Sequence, residues 1–212
     1  MPIDAGPQKR LPSQRWMTFV RNHAQAILAC DFFVVVTARF RILYVFVVME
    51  VGSRRLMHFN VTDHPTAAWT LQQLREVIAG EQPYRFVNHD RDSIYSRQLD
   101  SAVQALGVNV LKTPFRAPQA NAFCERLVGT IRRECLDFLI PLNERHVRRI
   151  LKEWAAHYNH GRPHSSLGPG VPDLGRSLIW TLLRNVPRHH RVVARPILNG
   201  LHHEYSLERR AA

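Results

Sequence analysis

Three carboxylates in this 212-residue chain stand where carboxylates are either costly or useful. Asp31 lies in Ala29-Cys30-Asp31-Phe32-Phe33, inside the most apolar stretch. A buried, unpaired charge there is expensive, so it needs a cation, a hydrogen-bond set or a raised pKa. Asp90 follows a short apolar run, Tyr84 to Asn88, and so sits at the carboxyl end of a predicted strand, where open α/β sheets place ligands. Glu125 falls on a predicted helix but off its apolar stripe. Its i+4 and i+7 neighbours are Gly129 and Arg132, a pairing that suits close approach of a phosphate backbone. If the strands bearing Asp31 and Asp90 are neighbours, the two residues stand ~5 Å apart. An all-oxygen set of this kind suits Mg²⁺ or Mn²⁺. Two such ions about 3.5–4 Å apart can activate an attacking water or hydroxyl and stabilise a leaving oxygen in phosphoryl transfer. Taken singly, Asp31 reads as a buried hydrogen-bonding residue, Asp90 as a turn cap and Glu125 as a surface charge. Together, in a basic chain, they favour a metal site with Asp31, Asp90 and Glu125 as ligands and catalytic groups.

The elements that must position them follow from hydropathy patterning. Residues 1–15 read as unstructured, and Trp16 to Ala29 has near-helical apolar spacing. Strands are predicted near 28–37, 40–50 and 54–61, with Gly52-Ser53 as a turn. Asp63-His64-Pro65 signals a helix start; Ala67, Leu71, Leu74 and Ile78 then form one apolar face, closed by Gly80. A helix near 96–106 stops at Gly107, and Val108 to Lys112 is a strand. The most regular helix runs from about Asn121 to Leu139, with Cys124, Leu127, Val128, Ile131, Cys135 and Phe138 as its stripe. Asn143 caps another, burying Val147, Ile150, Leu151, Trp154 and Tyr158. Asn199-Gly200 between two β-like runs, 192–198 and 201–207, is a strong hairpin signal. Three strands joined by short turns must be antiparallel, and the later strands arrive through helical crossovers. The reading is a mixed α/β sheet covered by helices, with a hairpin beyond it.

Composition narrows the partner. Lys and Arg number 29 against 17 Asp and Glu, a formal net charge of +12. Such an excess makes a polyanion, nucleic acid above all, the leading partner class. Three cysteines without C-x-x-C spacing indicate neither a disulfide framework nor a zinc site. A reducing, cytoplasmic setting is expected. The N-terminal residues lack a signal-peptide apolar core. The apolar run Phe32 to Val51 is interrupted by Arg39 and Arg41, which excludes it as a membrane helix.

At these residues the sequence resembles the catalytic core of insertion-sequence transposases related to retroviral integrases, the DDE group with a ribonuclease H-like fold. The resemblance covers roughly residues 16–172. Asp31 matches the first-strand Asp, and His89-Asp90-Arg91-Asp92-Ser93 matches the second-Asp motif. Pro118-Gln119-Ala120-Asn121-Ala122-Phe123-Cys124-Glu125 matches the Pro-Gln-x-Asn-x-x-x-Glu motif. Tyr158-Asn159-His160-Gly161-Arg162-Pro163-His164-Ser165-Ser166-Leu167 matches the Tyr-Asn…Arg-Pro-His-x-x-Leu ending. The resemblance implies a ribonuclease H-like five-stranded mixed sheet and two-ion Mg²⁺ or Mn²⁺ chemistry at Asp31, Asp90 and Glu125. It also implies DNA 3′-end cleavage and strand transfer.

The domain plan is then a disordered segment 1–15, an integrase-like core 16–172, a linker 173–190 and a basic β-hairpin tail 191–212. Asp92 stands where the group usually has Gly and reads as a turn residue. Lys112, Arg116, Gln119, Asn121 and Arg132 are assigned to DNA contact. His164 reads as a packing residue rather than a metal ligand. Element-end and target DNA, further copies of the chain and a separate helix-turn-helix subunit are the expected partners, with no membrane. A non-catalytic DNA-binding remnant and a structure-selective nuclease of the same fold are the rival readings.

Overall fold

Strand β1, Ile27–Val36, organises the molecule because its alternate side chains enter two different cores. Ile27, Ala29, Phe33 and Val35 pack with one set of helices, while Leu28 and Cys30 pack with another. The computed structural model describes residues 12–79, 84–90, 92, 94–112, 122–168, 170–173 and 189–209. A turn at 37–41, with Phe40 at φ 57°, leads into β2, Ile42–Glu50, antiparallel to β1 with Asp31 opposite Val47. A second turn, with Arg54 at φ 65°, leads into β3, Leu56–Thr62. The β2–β3 register slips between Val48 and Met49.

Helical crossovers bring the chain back parallel, as right-handed β-α-β connections require. Helix α2, Ala67–Ile78, is capped by Thr66, whose hydroxyl accepts from the Trp69 amide. Strand β4, Phe86–His89, then pairs parallel with β1. Helix α3, Arg97–Ala105, is capped by Ser96, and Gly107 at φ 83° turns the chain into β5, Asn109–Lys112. The sheet order is β3-β2-β1-β4-β5. Helices α2 and α3 cover one face. The other face is covered by α1, Pro12–His23, α4, Ala122–Glu134, and α5, Glu144–His160, with Trp154 fully buried. Asn143 caps α5 through the His146 amide, as its sequence signal predicts.

The structure departs from the sequence reading in three places. Helix α1 begins at Pro12, inside the stretch expected to be unstructured. Helix α4 ends at Glu134 rather than near Leu139. Cys135 leaves helical geometry at φ −142° and ψ −69°, Leu136 takes the core contact, and Phe138 is left exposed. The chain is drawn away toward the β1–β2 turn, where the Ala38 amide donates to the Pro141 carbonyl at 2.7 Å. Thirdly, the terminal hairpin, β6 His190–Ile197 and β7 His202–Arg209, forms but does not stand apart. Ile197 and Leu198 enter the core beside α5. The Leu198 amide donates to Glu153, His202 donates to the Glu134 carbonyl at 2.6 Å, and Glu204 faces His157 at 2.9 Å. The Asn199-Gly200 turn takes positive φ at both residues, which explains that dipeptide.

Candidate active site

Strand β1, the chain just past β4 and the first turn of α4 carry the three carboxylates. The last β1–β4 pair is Ala29 with Asn88, so Asp31 and Asp90 lie two residues beyond it on adjacent parallel strands. Alternation along β1 sends Asp31 to the side of Ala29 and Phe33, which is the α4 side. Asp31 is half-buried, and its Oδ1 accepts from the Phe32 amide at 2.8 Å. Asp90 is half-buried just past the end of β4, with Oδ1 accepting from the Asp92 amide at 3.0 Å. Glu125 sits in the first turn of α4 and is exposed.

The Cys124 thiol, beside Glu125 in the first turn of α4, is fully buried. Burial first, then the charges of Asp31, Cys30, Asp90 and Glu125, raise its pKa well above the usual thiol range. The Cys30 thiol is likewise raised, by burial and then by Asp31 and Asp90. Tyr95 is raised by burial, by Cys30 and by the same two aspartates. Burial disfavours the thiolate at both cysteines, which leaves the carboxylate oxygens as the candidate ligands. Among the described residues no three His, Cys, Asp or Glu side chains stand close enough together to hold one metal ion. The donor chemistry fits a hard cation, but the carboxylates are not drawn into a coordination set.

The neighbouring residues fare differently. Asp92 is a turn residue: it is exposed and its Oδ1 accepts from the Ile94 amide at 3.2 Å. His89 points to the opposite face, stacked on Tyr95 with Nε2 3.0 Å from Asp100 Oδ1. Lys112 reaches the other oxygen of Asp100 at 2.5 Å, so its charge has a carboxylate partner. Arg132 donates to the Val34 carbonyl at 3.1 Å and lies over the Phe33 ring. Its guanidinium braces α4 against β1. Arg116, Gln119 and Asn121 lie outside the described residues. Gly129 leaves no open gap beside Glu125, because a Cβ there would meet Arg133 Nη1 at 2.9 Å.

Sequence reasoning missed a cluster of arginines on the adjoining side of α4. Arg54, Arg126, Arg133 and Arg162 line one cavity with Phe123, Tyr158 and His164. Only the seven-residue spacing of Arg126 and Arg133 hinted at it; Arg54 and Arg162 are far apart in sequence and meet through the fold. His164 packs as expected, buried with its ring edge-on to Tyr158.

Strand order and flanking helices match the ribonuclease H-like fold of integrase and transposase catalytic domains. Residues 106–172 match the family of the integrase core domain, a stretch containing Glu125 and the Arg162-Pro163-His164 ending. Among individual proteins, the chain is 26% identical over 135 residues to the Escherichia coli transposase InsD of insertion element IS2A/D/F/H/I/K. That alignment covers 58% of this chain and 44% of that protein. The chain also spans 61% of InsD for insertion element IS2E, so it covers less than two thirds of either relative. The catalytic domain of the Mos1 mariner transposase superposes with TM-score 0.57 at 14% identity, covering 71% of this chain and 84% of that one. A chain of the simian T-cell lymphotropic virus intasome superposes with TM-score 0.59 at 14% identity, covering 87% of this chain and 68% of that one. Among the described residues no helix is long and apolar enough to cross a membrane.

Proposed function

We propose that this chain is the catalytic part of a DNA transposase, cutting a phosphodiester at an element end and joining the freed 3′-hydroxyl to target DNA. The observation that supports this most is the parallel pairing of β1 with β4, which sets Asp31 and Asp90 each two residues beyond the pair Ala29–Asn88, with Glu125 in the first turn of α4. Asp31, Asp90 and Glu125 would hold Mg²⁺ or Mn²⁺, two ions in the full set. When bound, such ions supply Lewis-acid activation of the attacking oxygen and charge neutralisation at the phosphate. The chain itself contributes position. The Phe32 and Asp92 amides fix one oxygen of each aspartate, leaving Glu125, on an exposed first turn, as the adjustable member. Element-end and target DNA are the proposed substrates, and further copies of this chain and a helix-turn-helix subunit the proposed partners. The proposed location is the cytoplasm, on chromosomal DNA.

The test is cleavage and strand transfer with duplex DNA carrying the element end, with end recognition supplied by its partner. Wild type should nick and join in Mg²⁺. Glu125→Gln should do neither while still binding DNA, since a ligand is removed and phosphate repulsion also falls. Metal-dependent nicking without joining would favour a nuclease of this fold, and no metal-dependent activity would favour a binding remnant.

A further inference from the structure

Beside the carboxylate site, on the adjoining side of α4, runs a groove lined with arginine. Two cavities of about 240 and 500 Å³ open side by side and share Arg54, Phe123 and Arg126 in their walls. The smaller adds Arg133 and Arg162; the larger adds Arg21. Arg126 and Arg133 project together because seven residues make two helical turns, about 100° around the axis from Glu125. Arg54 comes from the β2–β3 turn, held at φ 65°, a conformation that residues other than glycine rarely adopt. Its guanidinium lies 4.0 Å from the centre of the Phe123 ring.

The charges are not balanced from within. Arg162 is forked onto Glu134, with both bonds at 2.6 Å. Among the described residues, no carboxylate forms an ion pair with Arg54, Arg126 or Arg133. Burial, then the charge of Arg126, lowers the pKa of Arg54. Arg54 is half-buried and repelled by Arg126, and an anion in the groove would relieve both the repulsion and the desolvation.

We infer that this groove binds the phosphodiester backbone of a nucleic-acid strand, with Arg54, Arg126 and Arg133 taking consecutive phosphates. The planar guanidinium fork matches phosphate oxygens bidentately. An elongated pair of cavities sharing their arginines suits a chain of phosphates better than a single anion, and Phe123 offers a face for a sugar or base. The inference rests on the reading that the protein handles DNA. Since the groove lies off the Glu125 face, it would hold DNA flanking the strand that is cut rather than the scissile phosphate.

The experiment is anisotropy of a labelled duplex of arbitrary sequence, without Mg²⁺, across a KCl series. The Arg126→Gln/Arg133→Gln pair should weaken binding and lower the log–log salt slope by roughly two units, about 0.9 for each phosphate no longer neutralised. Arg54→Gln should lower it by about one more. Both residues of the pair are exposed, so the pair carries the test even if Arg54→Gln fails to fold. An unchanged slope would overturn the inference. So would an equal reduction from Arg145→Gln/Arg149→Gln on α5, which would mean diffuse attraction without a groove. Polyglutamate of matched charge that binds with the same slope and the same dependence on Arg126 and Arg133 would overturn the assignment to phosphodiesters. Wild-type Mg²⁺-dependent cleavage, measured in parallel, separates the two readings. Cleavage with a slope that the pair leaves unchanged removes the groove alone, and a slope reduced by the pair without wild-type cleavage removes the catalytic reading alone.

Discussion

Helix α4 presents two regions that differ in how they are built. On one side stands Glu125, in the first turn; around the axis, Arg126 and Arg133 line a cavity with Arg54 and Arg162. The acidic region is assembled from the sheet's own register: once β1 and β4 pair in parallel, two carboxylates fall on neighbouring strands. The basic region has no such frame. It depends on a strained turn after β2, on two exposed helical positions, and on an ion pair that pins residue 162 to α4. Acidic residues set by strands are rigid, whereas arginines set by turns and long side chains are adjustable, which suits metal chemistry and backbone grip respectively.

The largest expected effect belongs to the acidic side and asks which aspartate it uses. Asp90→Asn should reduce metal-dependent cleavage by about 10³-fold or more, because the carboxylates act as a unit. Asp92→Asn should cost far less, since Asp92 is an exposed turn residue bonded to the Ile94 amide. Equal damage from both would mean that the second ligand is misassigned.

Next in size is the brace of the basic side. Arg162→Ala removes both bonds to Glu134, whose side chain is 28% exposed, and should cost about 1–2 kcal/mol in urea unfolding. Cleavage chemistry should change less than DNA affinity. A loss of cleavage at full DNA occupancy would show that the two regions are not separable.

A smaller effect is pH-dependent. Burial, then the charge of Arg162, depresses the His164 pKa below the usual 6.5. The unfolded chain therefore takes up this proton more readily than the folded one. The stability contributed by neutral His164 is complete above about 6.5 and is lost as pH falls through the lower folded value. In thermal melts over that window, His164→Gln should flatten the acid limb relative to wild type. An unchanged limb would remove His164 from the account.

The smallest effect falls on the boundary between the two sides. Gly129→Ala should gain up to about 1 kcal/mol in helix propensity. Its Cβ would displace the Arg133 guanidinium, which now lies 2.9 Å from that position. Melting should rise slightly while DNA affinity falls; a rise in both would place Arg133 outside the binding surface.

The difference between the regions also explains what the sequence disclosed. Asp31 stands out in the sequence because a carboxylate amid Ala29, Cys30, Phe32 and Phe33 is chemically out of place, and Asp90 because it ends an apolar run. Strand periodicity and the cap at Asn143 are local, so the sheet and its helices could be read from short windows, although α2 is capped by Thr66 rather than started at Asp63. Arg54 and Arg162 carry no local signature; only the fold brings them to Arg126. The same limit hid the end of α4. The stripe through Phe138 is intact in sequence, but the bond from the distant Ala38 amide to the Pro141 carbonyl redirects the backbone. Likewise the hairpin was plain from Asn199-Gly200, while its docking on α4 and α5 depends on Glu134 and Glu153, which no turn signal encodes.

The central claim is that Asp31, Asp90 and Glu125 form one metal-binding unit, and Mn²⁺ titration followed by electron paramagnetic resonance tests it most directly. Wild type should bind Mn²⁺, more tightly when duplex DNA is present, because phosphate oxygens complete the coordination. Asp31→Asn, Asp90→Asn and Glu125→Gln should each weaken that binding at least about tenfold, while Asp92→Asn leaves it within about twofold. Mn²⁺ binding that is indifferent to all three substitutions, in variants with unchanged thermal melts, would contradict the account.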